Sequence, residues 1–83
     1  MELVFQTNAW EDYVWQDQDK KILKKINELI KDTIRSPFKG IGKPEALRGD
    51  LGGCWSRRIT DEHRLVYMIK DKRLHILQCR FHY

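Results

Sequence analysis

The sequence predicts a small α+β domain with an N-terminal strand and two helices packed on one face of an antiparallel sheet. Apolar residues recur at helical spacing through residues 1–35, and from Trp55 onward they alternate with polar residues as in strands. The chain has 83 residues, of which 41% are hydrophobic, so it can bury one small core. We therefore expect a single domain over residues 1–83.

The first elements are a strand and a short helix. The apolar run Leu3–Phe5 predicts the strand, and Asn8 with Glu11 three positions later has the spacing of a helix capping box. We expect the first helix to run from about Ala9 to Gln18. Its predicted inner stripe consists of Trp10, Tyr13 and Val14.

The second helix gives the strongest periodic signal in the chain. Asp19 is its predicted cap, and the helix ends before Ser36 because the residue preceding Pro37 is driven out of the α region. Six apolar residues at helical spacing form the predicted buried face: Ile22, Leu23, Ile26, Leu29, Ile30 and Ile34. We interpret the lysines and the glutamate of the other face as a solvated surface rather than an RNA site.

A glycine-containing loop separates the helices from the sheet. Residues 37–44 lack the Walker spacing and a following helix, so we interpret them as a shaped loop and not a phosphate-binding loop. Three strands are expected after it, over Trp55–Thr60, His63–Lys70 and Arg73–Phe81. A two-residue turn would place Arg64 opposite Ile59, whereas a bulge would put Arg58 and Arg64 on one face. The sequence leaves both registers open.

Positive charge is concentrated in the C-terminal part of the chain. Residues 1–35 contain six Lys or Arg and seven Asp or Glu, whereas residues 36–83 contain ten and five, so the net charges are −1 and +5. A basic half favours a polyanionic partner such as nucleic acid. The sequence shows no signal-peptide pattern, no membrane span and too few cysteines for a disulfide framework. We expect a cytoplasmic protein with reduced, buried thiols at Cys54 and Cys79 and no membrane partner.

Folding does not by itself explain a set of polar residues in the C-terminal half. The set consists of Lys43, Glu45, Arg48, Arg57, Arg58, His63, Arg64, Arg80, His82 and Tyr83. Arginines on neighbouring strands repel one another, so an anionic ligand explains them better than stability does. The histidines and cysteines have no metal-ligand spacing and no nucleophile elbow is present, so we expect no metal, no cofactor and no Ser/His/Asp hydrolase. A carboxylate, several guanidiniums and a histidine could instead move protons around a phosphodiester.

Several motifs resemble those of one known family. They are Pro37-Phe38, Gly42-Lys43-Pro44-Glu45, Trp55-Ser56-Arg57-Arg58-Ile59-Thr60, Glu62-His63-Arg64-Leu65-Val66-Tyr67 and the ending Cys79-Arg80-Phe81-His82-Tyr83. In these motifs, and without apparent gaps over the whole chain, the sequence resembles the YoeB-type toxins of the RelE superfamily. It departs from the usual family pattern at Cys54, Arg48 and Phe81, where an aromatic residue, lysine and tyrosine are common.

The resemblance implies a RelE-like fold and a ribosome-dependent endoribonuclease that cuts messenger RNA in the decoding site without a metal or cofactor. The RNA 2′-hydroxyl would be the nucleophile, with Glu45 as general base, His82 as general acid and Arg64 as the main stabiliser of phosphate charge. The family pattern also assigns backbone positioning to Lys43, Arg48 and Arg58, and orientation or base stacking to Tyr83. A cognate YefM-like antitoxin would inhibit the toxin, and the free toxin could form a homodimer.

Other interpretations remain open from the sequence. The chain could be a gyrase-poisoning relative from the same superfamily, or a non-catalytic RNA-binding regulator that uses the basic half alone. Glu45 could be an ordinary loop carboxylate, His82 part of a frayed tail, and Arg64 the partner of a nearby surface carboxylate. We leave Arg57 and His63 outside the site, because both could equally be structural.

Overall fold

A computed structural model describes residues 1–82 and shows two helices packed on a five-stranded sheet. The strands are β1 (Glu2–Phe5), β2 (Glu45–Ala46), β3 (Trp55–Arg58), β4 (Arg64–Lys70) and β5 (Arg73–Gln78). The helices are α1 (Thr7–Gln16) and α2 (Lys20–Arg35), and a 3₁₀ turn covers Gly49–Leu51. The predicted α+β class is confirmed. Within residues 1–82, no helix is both long and apolar enough to cross a membrane.

The sheet is mixed rather than antiparallel. Its strand order is β1-β5-β4-β3-β2, and β1 runs parallel to β5, with Glu2 opposite Arg73 and Phe5 opposite Ile76. The other neighbouring strands are antiparallel, as expected. The prediction of a fully antiparallel sheet is wrong because alternation within a strand identifies its two faces but carries no information on the direction of its neighbour. β2 was not predicted, since two residues are too few to show a period.

The two faces of the sheet bury different clusters. The face toward the helices holds the main core, which contains Ala9, Ile26, Leu29, Ile30, Ile59, Leu65, Tyr67, Leu74, Ile76 and Cys79. The opposite face holds a smaller cluster of Leu47, Cys54 and Val66, against which Leu51, Met68 and Leu77 pack. Because side chains alternate along a strand, the neighbours Leu65 and Val66 lie in different clusters. Cys54 and Cys79 are free and buried, as predicted.

Helix α1 presents only part of its predicted stripe to the core, since Tyr13 packs against it but the other two residues do not. Trp10 and Val14 are 53% and 52% exposed, whereas Ala9 and Gln16 are buried. Gln16 is buried because its Nε2 donates a hydrogen bond to the carbonyl oxygen of Cys79 at 2.9 Å. Because Gln16 is polar, apolar spacing alone does not identify the buried face of α1.

The predicted capping box of α1 is also absent. The helix begins at Thr7, its cap residue Gln6 makes no side-chain capping bond, and it ends at Gln16 rather than Gln18. Asn8 lies inside the helix, and its Nδ2 donates to the carbonyl oxygen of Leu77 at 3.0 Å. The amide group thus joins the helix to the end of β5 instead of capping the helix.

Helix α2 forms as predicted. The Asp19 carboxylate accepts hydrogen bonds from the backbone N–H groups of Lys21 at 2.9 Å and Ile22 at 3.4 Å, which is the expected N-cap. The helix ends at Arg35, before the Ser36-Pro37 pair. Three of its apolar residues are fully within the core: Ile26, Leu29 and Ile30. Ile34 is 37% exposed and lies at the edge of the predicted face.

Arg57 is fully buried and joins α2, the glycine loop and the sheet. Its Nη1 donates to the Asp32 carboxylate at 2.6 Å and to the carbonyl oxygen of Ile41 at 3.1 Å. Its Nη2 donates to the carbonyl oxygens of Ser36 at 2.6 Å and Lys39 at 2.9 Å. We call these contacts the Arg57 network. These contacts support the structural role left open for Arg57 from the sequence, and its place among the residues that folding does not explain is wrong, because it binds three separate segments.

The glycine loop fits closely around the Arg57 network. Gly40 has φ +122°, and a Cβ atom placed on it would lie 2.0 Å from Oδ2 of Asp32. Tyr67 extends the network, since its hydroxyl accepts from Nε of Arg57 at 3.2 Å and donates to the carbonyl oxygen of Pro37 at 2.7 Å. The interpretation of residues 37–44 as a shaped loop is supported by these contacts, which fix the path of the backbone that leads into β2.

The connection between β3 and β4 is longer than predicted. β3 ends at Arg58 and β4 begins at Arg64, so residues 59–63 form a loop in place of the expected two-residue turn. Within it, Oγ1 of Thr60 accepts from the backbone N–H of His63 at 3.0 Å. The loop sets Arg58 directly opposite Arg64, which selects the second of the two registers left open by the sequence.

The Arg57 network predicts a specific dependence of stability on pH. Its hydrogen bonds, chiefly the one from Arg57, lower the pKa of Asp32 from 3.8 to about 2. A lowered pKa stabilises the folded state above pH 3.8, and this contribution is lost as the pH falls toward about 2. We expect Asp32→Asn to be less stable than the wild-type chain at neutral pH, and the difference in urea midpoint to shrink over that pH window.

Asp17→Asn is the matched control, because Asp17 pairs with Lys20 on the surface and both side chains are mostly exposed. Its urea midpoint should stay close to the wild-type value at every pH. A wild-type minus Asp32→Asn difference that stays constant from pH 5 to pH 2 would contradict the assigned role of the Asp32 carboxylate.

Candidate active site on the open face of the sheet

One row of paired residues crosses the sheet from β2 to β5. Glu45 lies opposite Ser56, Ser56 opposite Val66, and Val66 opposite Gln78. Directly paired residues project from the same face, and Val66 belongs to the cluster on the side away from the helices. Three strand spacings of about 4.8 Å separate Glu45 from Gln78 by roughly 14 Å. We call this side of the sheet the open face.

Arg58 and Arg64 lie on the open face two positions along from this row. They are directly opposite each other, and like charges at this spacing destabilise a sheet. Arg58 is exposed, whereas Arg64 is only 8% exposed. The structure therefore places both arginines on one surface, as in the second of the two registers that the sequence left open. An anion between the two guanidiniums would remove their repulsion.

Arg64 is held by backbone oxygens. Its Nη1 lies 2.6 Å from the carbonyl oxygen of Thr60, 3.2 Å from that of Asp61 and 3.1 Å from that of His63. These contacts all use Nη1, so they do not consume the donors on Nε and Nη2. They also differ from the carboxylate pairing considered from the sequence, because Asp61 contributes its main-chain oxygen. The 59–63 loop therefore fixes the position of the guanidinium without neutralising its charge.

Glu45 is exposed on the short strand β2, immediately after the glycine loop. The loop is attached to β3 by a hydrogen bond from the backbone N–H of Arg58 to the carbonyl oxygen of Gly42 at 2.7 Å. Lys43 follows with a positive φ of 52°, and its side chain is exposed. The Glu45 carboxylate is consequently accessible while the backbone that carries it is held at both ends.

The C-terminal tail is bonded to the sheet rather than frayed. β5 ends at Gln78 instead of Phe81, and Nε2 of Gln78 then donates to the carbonyl oxygens of Arg80 at 2.7 Å and His82 at 3.2 Å. The backbone of Phe81 is bound on both sides: its N–H donates to Nδ1 of His63 at 2.8 Å, and its carbonyl accepts from the N–H of Arg64 at 3.0 Å. His63 is buried and has this structural task.

The His82 ring lies beside the 59–63 loop. Its Nε2 is 3.1 Å from the carbonyl oxygen of Asp61, and a carbonyl can only accept, so this contact is a hydrogen bond when Nε2 carries a proton. The same loop contacts Nη1 of Arg64 through three carbonyls, including that of Asp61. The loop therefore brings His82 and Arg64 together.

The remaining predicted site residues are less closely tied. Arg48 is exposed and directly precedes the 3₁₀ turn beyond β2. Tyr83 lies outside the described residues. Within residues 1–82, no three His, Cys, Asp or Glu side chains are grouped as metal ligands. Sequence reasoning missed Gln78 and Gln16, whose amides bind the backbone of the tail, because glutamine on a strand or helix has no distinguishing pattern.

The chain is similar to known bacterial toxins over its whole length. Residues 5–83 match the family described as the YoeB-like toxin of bacterial type II toxin-antitoxin systems. The "Toxin YoeB" of Escherichia coli (strain K12) is 60% identical over 84 aligned positions, which cover 100% of both chains. The solved YoeB/ParE toxin from Agrobacterium tumefaciens is 52% identical, with a TM-score of 0.95 and 100% coverage of both chains.

Two solved structures from Staphylococcus aureus are also similar. One is a heterotetrameric complex of a YoeB-YefM toxin-antitoxin, whose matching chain is 48% identical with a TM-score of 0.90. The other is a YoeB dimer, 48% identical with a TM-score of 0.91, and in both cases the alignment covers 100% of this chain and 98% of the other. On the family match and this identity over the full length, the chain belongs to the YoeB-like toxins of bacterial type II toxin-antitoxin systems.

Proposed function

We propose that this toxin is an endoribonuclease that binds in the decoding site of the ribosome and cuts messenger RNA. The observation that carries the proposal is the arrangement of the open face. A carboxylate at one side, a histidine in the anchored tail at the other and two arginines between them are the groups that metal-independent RNA cleavage needs. Because ribosomes are in the cytoplasm, we expect the protein to act there.

The reaction is an attack by the RNA on itself. Glu45 removes the proton of the 2′-hydroxyl, and the 2′-oxygen forms a bond to the adjacent phosphorus. The bond from phosphorus to the 5′-oxygen then breaks, and His82 gives a proton to this leaving oxygen. The products are a 2′,3′-cyclic phosphate and a free 5′-hydroxyl. The contact of Nε2 of His82 with the carbonyl oxygen of Asp61 holds the ring beside the 59–63 loop that also binds Arg64.

The arginines supply the positive charge that stabilises the negatively charged phosphorane. Arg64 has the main role, because its buried guanidinium is fixed by loop carbonyls through Nη1, and the donors that these loop contacts do not use can meet two phosphate oxygens. Arg58 lies directly opposite and would bind the neighbouring backbone. Lys43 and Arg48 are exposed near Glu45 and would position the phosphates upstream. Tyr83 would orient a neighbouring group or stack on a base.

A protein partner completes the proposed function. The S. aureus relative was solved as a YoeB-YefM complex, and we infer that a cognate antitoxin of this kind inhibits the present toxin. Acidic side chains of a segment that folds on binding could cover Arg58 and Arg64 on the open face. The relative solved as a dimer supports a homodimer of the free toxin. A gyrase poison or a non-catalytic RNA-binding regulator would lack cleavage and is tested by the same experiments.

Replacement of the acid or the base should remove cleavage. We expect Glu45→Ala and His82→Ala each to slow single-turnover cleavage of a ribosome-bound message by about 10² to 10⁴-fold, because each loses one proton transfer. Glu28→Ala, on the exposed side of α2, and His75→Ala are matched controls, since they remove a carboxylate and an imidazole from outside the site. Near wild-type rates in both folded site variants would refute the mechanism.

Arg64 should be only partly replaceable by lysine. At fixed magnesium concentration, Arg64→Ala is expected to cleave more slowly than Arg64→Lys, and both more slowly than the wild type, because a point charge cannot bind two phosphate oxygens at once. Arg73→Ala controls for the loss of a strand arginine outside the site. The melting temperature is measured in parallel, since Arg64 also binds the 59–63 loop. Full activity of Arg64→Ala would exclude it from the mechanism.

A neighbouring gene is expected to encode the antitoxin. Co-expression should give a complex that does not cleave message and that melts at a higher temperature, because a ligand at a hundredfold of its Kd adds about 2.7 kcal/mol to the free energy of unfolding. Arg58→Gln should weaken the complex, whereas Arg73→Gln, at the start of β5 and away from the Arg58–Arg64 pair, should leave it unchanged. A complex that cuts message at the full rate would contradict the inhibited-toxin assignment.

A further inference from the structure

Phe81, the residue before His82, has an exposed aromatic ring that the proposed reaction does not use. We propose that Phe81, supported by Arg80 and Trp15, binds the base of the nucleotide on the 3′ side of the cleaved bond by stacking. This inference rests on the proposed function and adds a base-binding subsite to it. The three residues are called the Phe81 stack.

In the Phe81 stack, one guanidinium lies over two aromatic rings. The Cζ atom of Arg80 lies 3.5 Å from the ring centre of Trp15 and 4.4 Å from that of Phe81. The enclosed Nε of Arg80 has no hydrogen-bond partner in the described part of the chain, so aromatic faces rather than polar groups surround it. The guanidinium of Arg80 therefore packs against both aromatic rings.

The ring of Phe81 is open to solvent. Phe81 is 51% exposed, and the ring of the buried His63 approaches it with a centroid distance of 6.0 Å and a tilt of 50°. This leaves a large part of the Phe81 surface available. Single-stranded RNA is bound mainly by stacking of its unpaired bases on aromatic side chains, which an exposed ring backed by a guanidinium can provide.

The backbone holds Phe81 in a conformation that phenylalanine disfavours. Four non-glycine residues among residues 1–82 have a positive φ: Lys43, Asp71, Lys72 and Phe81. Asp71 and Lys72 form the tight turn between β4 and β5, where such angles are usual. The other two flank the proposed base and acid, and Phe81 has φ 62°. Unfavourable backbone angles that the surrounding hydrogen bonds enforce are concentrated at functional sites.

The sheet order indicates which nucleotide reaches the ring. Glu45, which takes the 2′-hydroxyl proton of the upstream nucleotide, lies on β2 at one edge. The tail that carries His82 follows β5, three strands away, so the RNA runs from β2 toward the tail. His82 protonates the 5′-oxygen of the downstream nucleotide, and Phe81 is adjacent to it. Because Phe81 directly precedes His82 in the chain, the Phe81 stack is assigned to the downstream base.

The test uses a fluorescent base on the ribosome. A message carries 2-aminopurine at the nucleotide downstream of the cleavage site and a 2′-O-methyl group at the upstream one, which blocks the attack. Stacking on Phe81 should quench the fluorescence when wild-type toxin binds. Phe81→Asn and Phe81→Gly remove the ring but tolerate the positive φ, so the tail can keep its path. Phe81→Tyr retains a ring at the same place.

We expect Phe81→Asn and Phe81→Gly to lose the quenching and to need about 10- to 100-fold more toxin for half-maximal single-turnover cleavage of unmodified message, the range expected for one stacked base. Phe81→Tyr should restore both properties. Trp10→Leu, which removes an equally exposed ring elsewhere on α1, should behave as wild type. The melting temperature of each variant is measured alongside.

Unchanged quenching and unchanged half-maximal concentration in both ring-deleted variants would overturn the Phe81 stack as a base site, even if the wild type cleaves. A loss of quenching that Phe81→Tyr does not restore would also overturn it, since the ring would then not be the determinant. Absence of cleavage by the wild-type toxin on ribosomes would instead refute the proposed function itself.

Discussion

The buried pair of Arg57 and Asp32 is the interaction on which the rest of the structure depends. A guanidinium with no exposed surface must have its donors satisfied, and Arg57 achieves this with one carboxylate, three carbonyl oxygens and the hydroxyl of Tyr67. These partners belong to α2, to the glycine loop and to β4. The hydrogen bonds that satisfy the Arg57 charge therefore hold the glycine loop against both the helices and the sheet. This loop leads directly to Glu45.

Because side chains alternate between the two faces of the sheet along β3, its two adjacent arginines have different roles. Arg57 points to the helices and organises the interior, whereas Arg58 points to the open face, where it meets Arg64 across the ladder. The interior contact stabilises the loop before β2, and the hydrogen bond from the backbone of Arg58 to Gly42 attaches the same loop to β3. The structure of the core and the geometry of the proposed active site are thus built on one short strand.

Residues 79–82 are held by side chains that lie both near to them and far from them in the sequence. Gln16 on α1 binds the carbonyl oxygen of Cys79, Gln78 binds the oxygens that follow it, and the buried His63 ring accepts from the N–H of Phe81. A proposed acid that lies beyond the last strand needs such support, because a free segment would lose conformational entropy whenever the site formed. The proposed base-binding ring and the proposed acid are neighbours on this anchored segment.

The sequence by itself determined the elements whose signals are local. The cap and period of α2, the end of that helix before Pro37 and the first strand depend on nearby residues, and the family motifs fixed the candidates Glu45, Arg64 and His82. Only the tertiary structure decided the direction of β1, the inner face of α1, the pairing of Arg58 with Arg64 and the burial of Arg57. Each of these depends on a hydrogen bond or ion pair between distant segments, and hydrophobic periodicity contains no information on such partners.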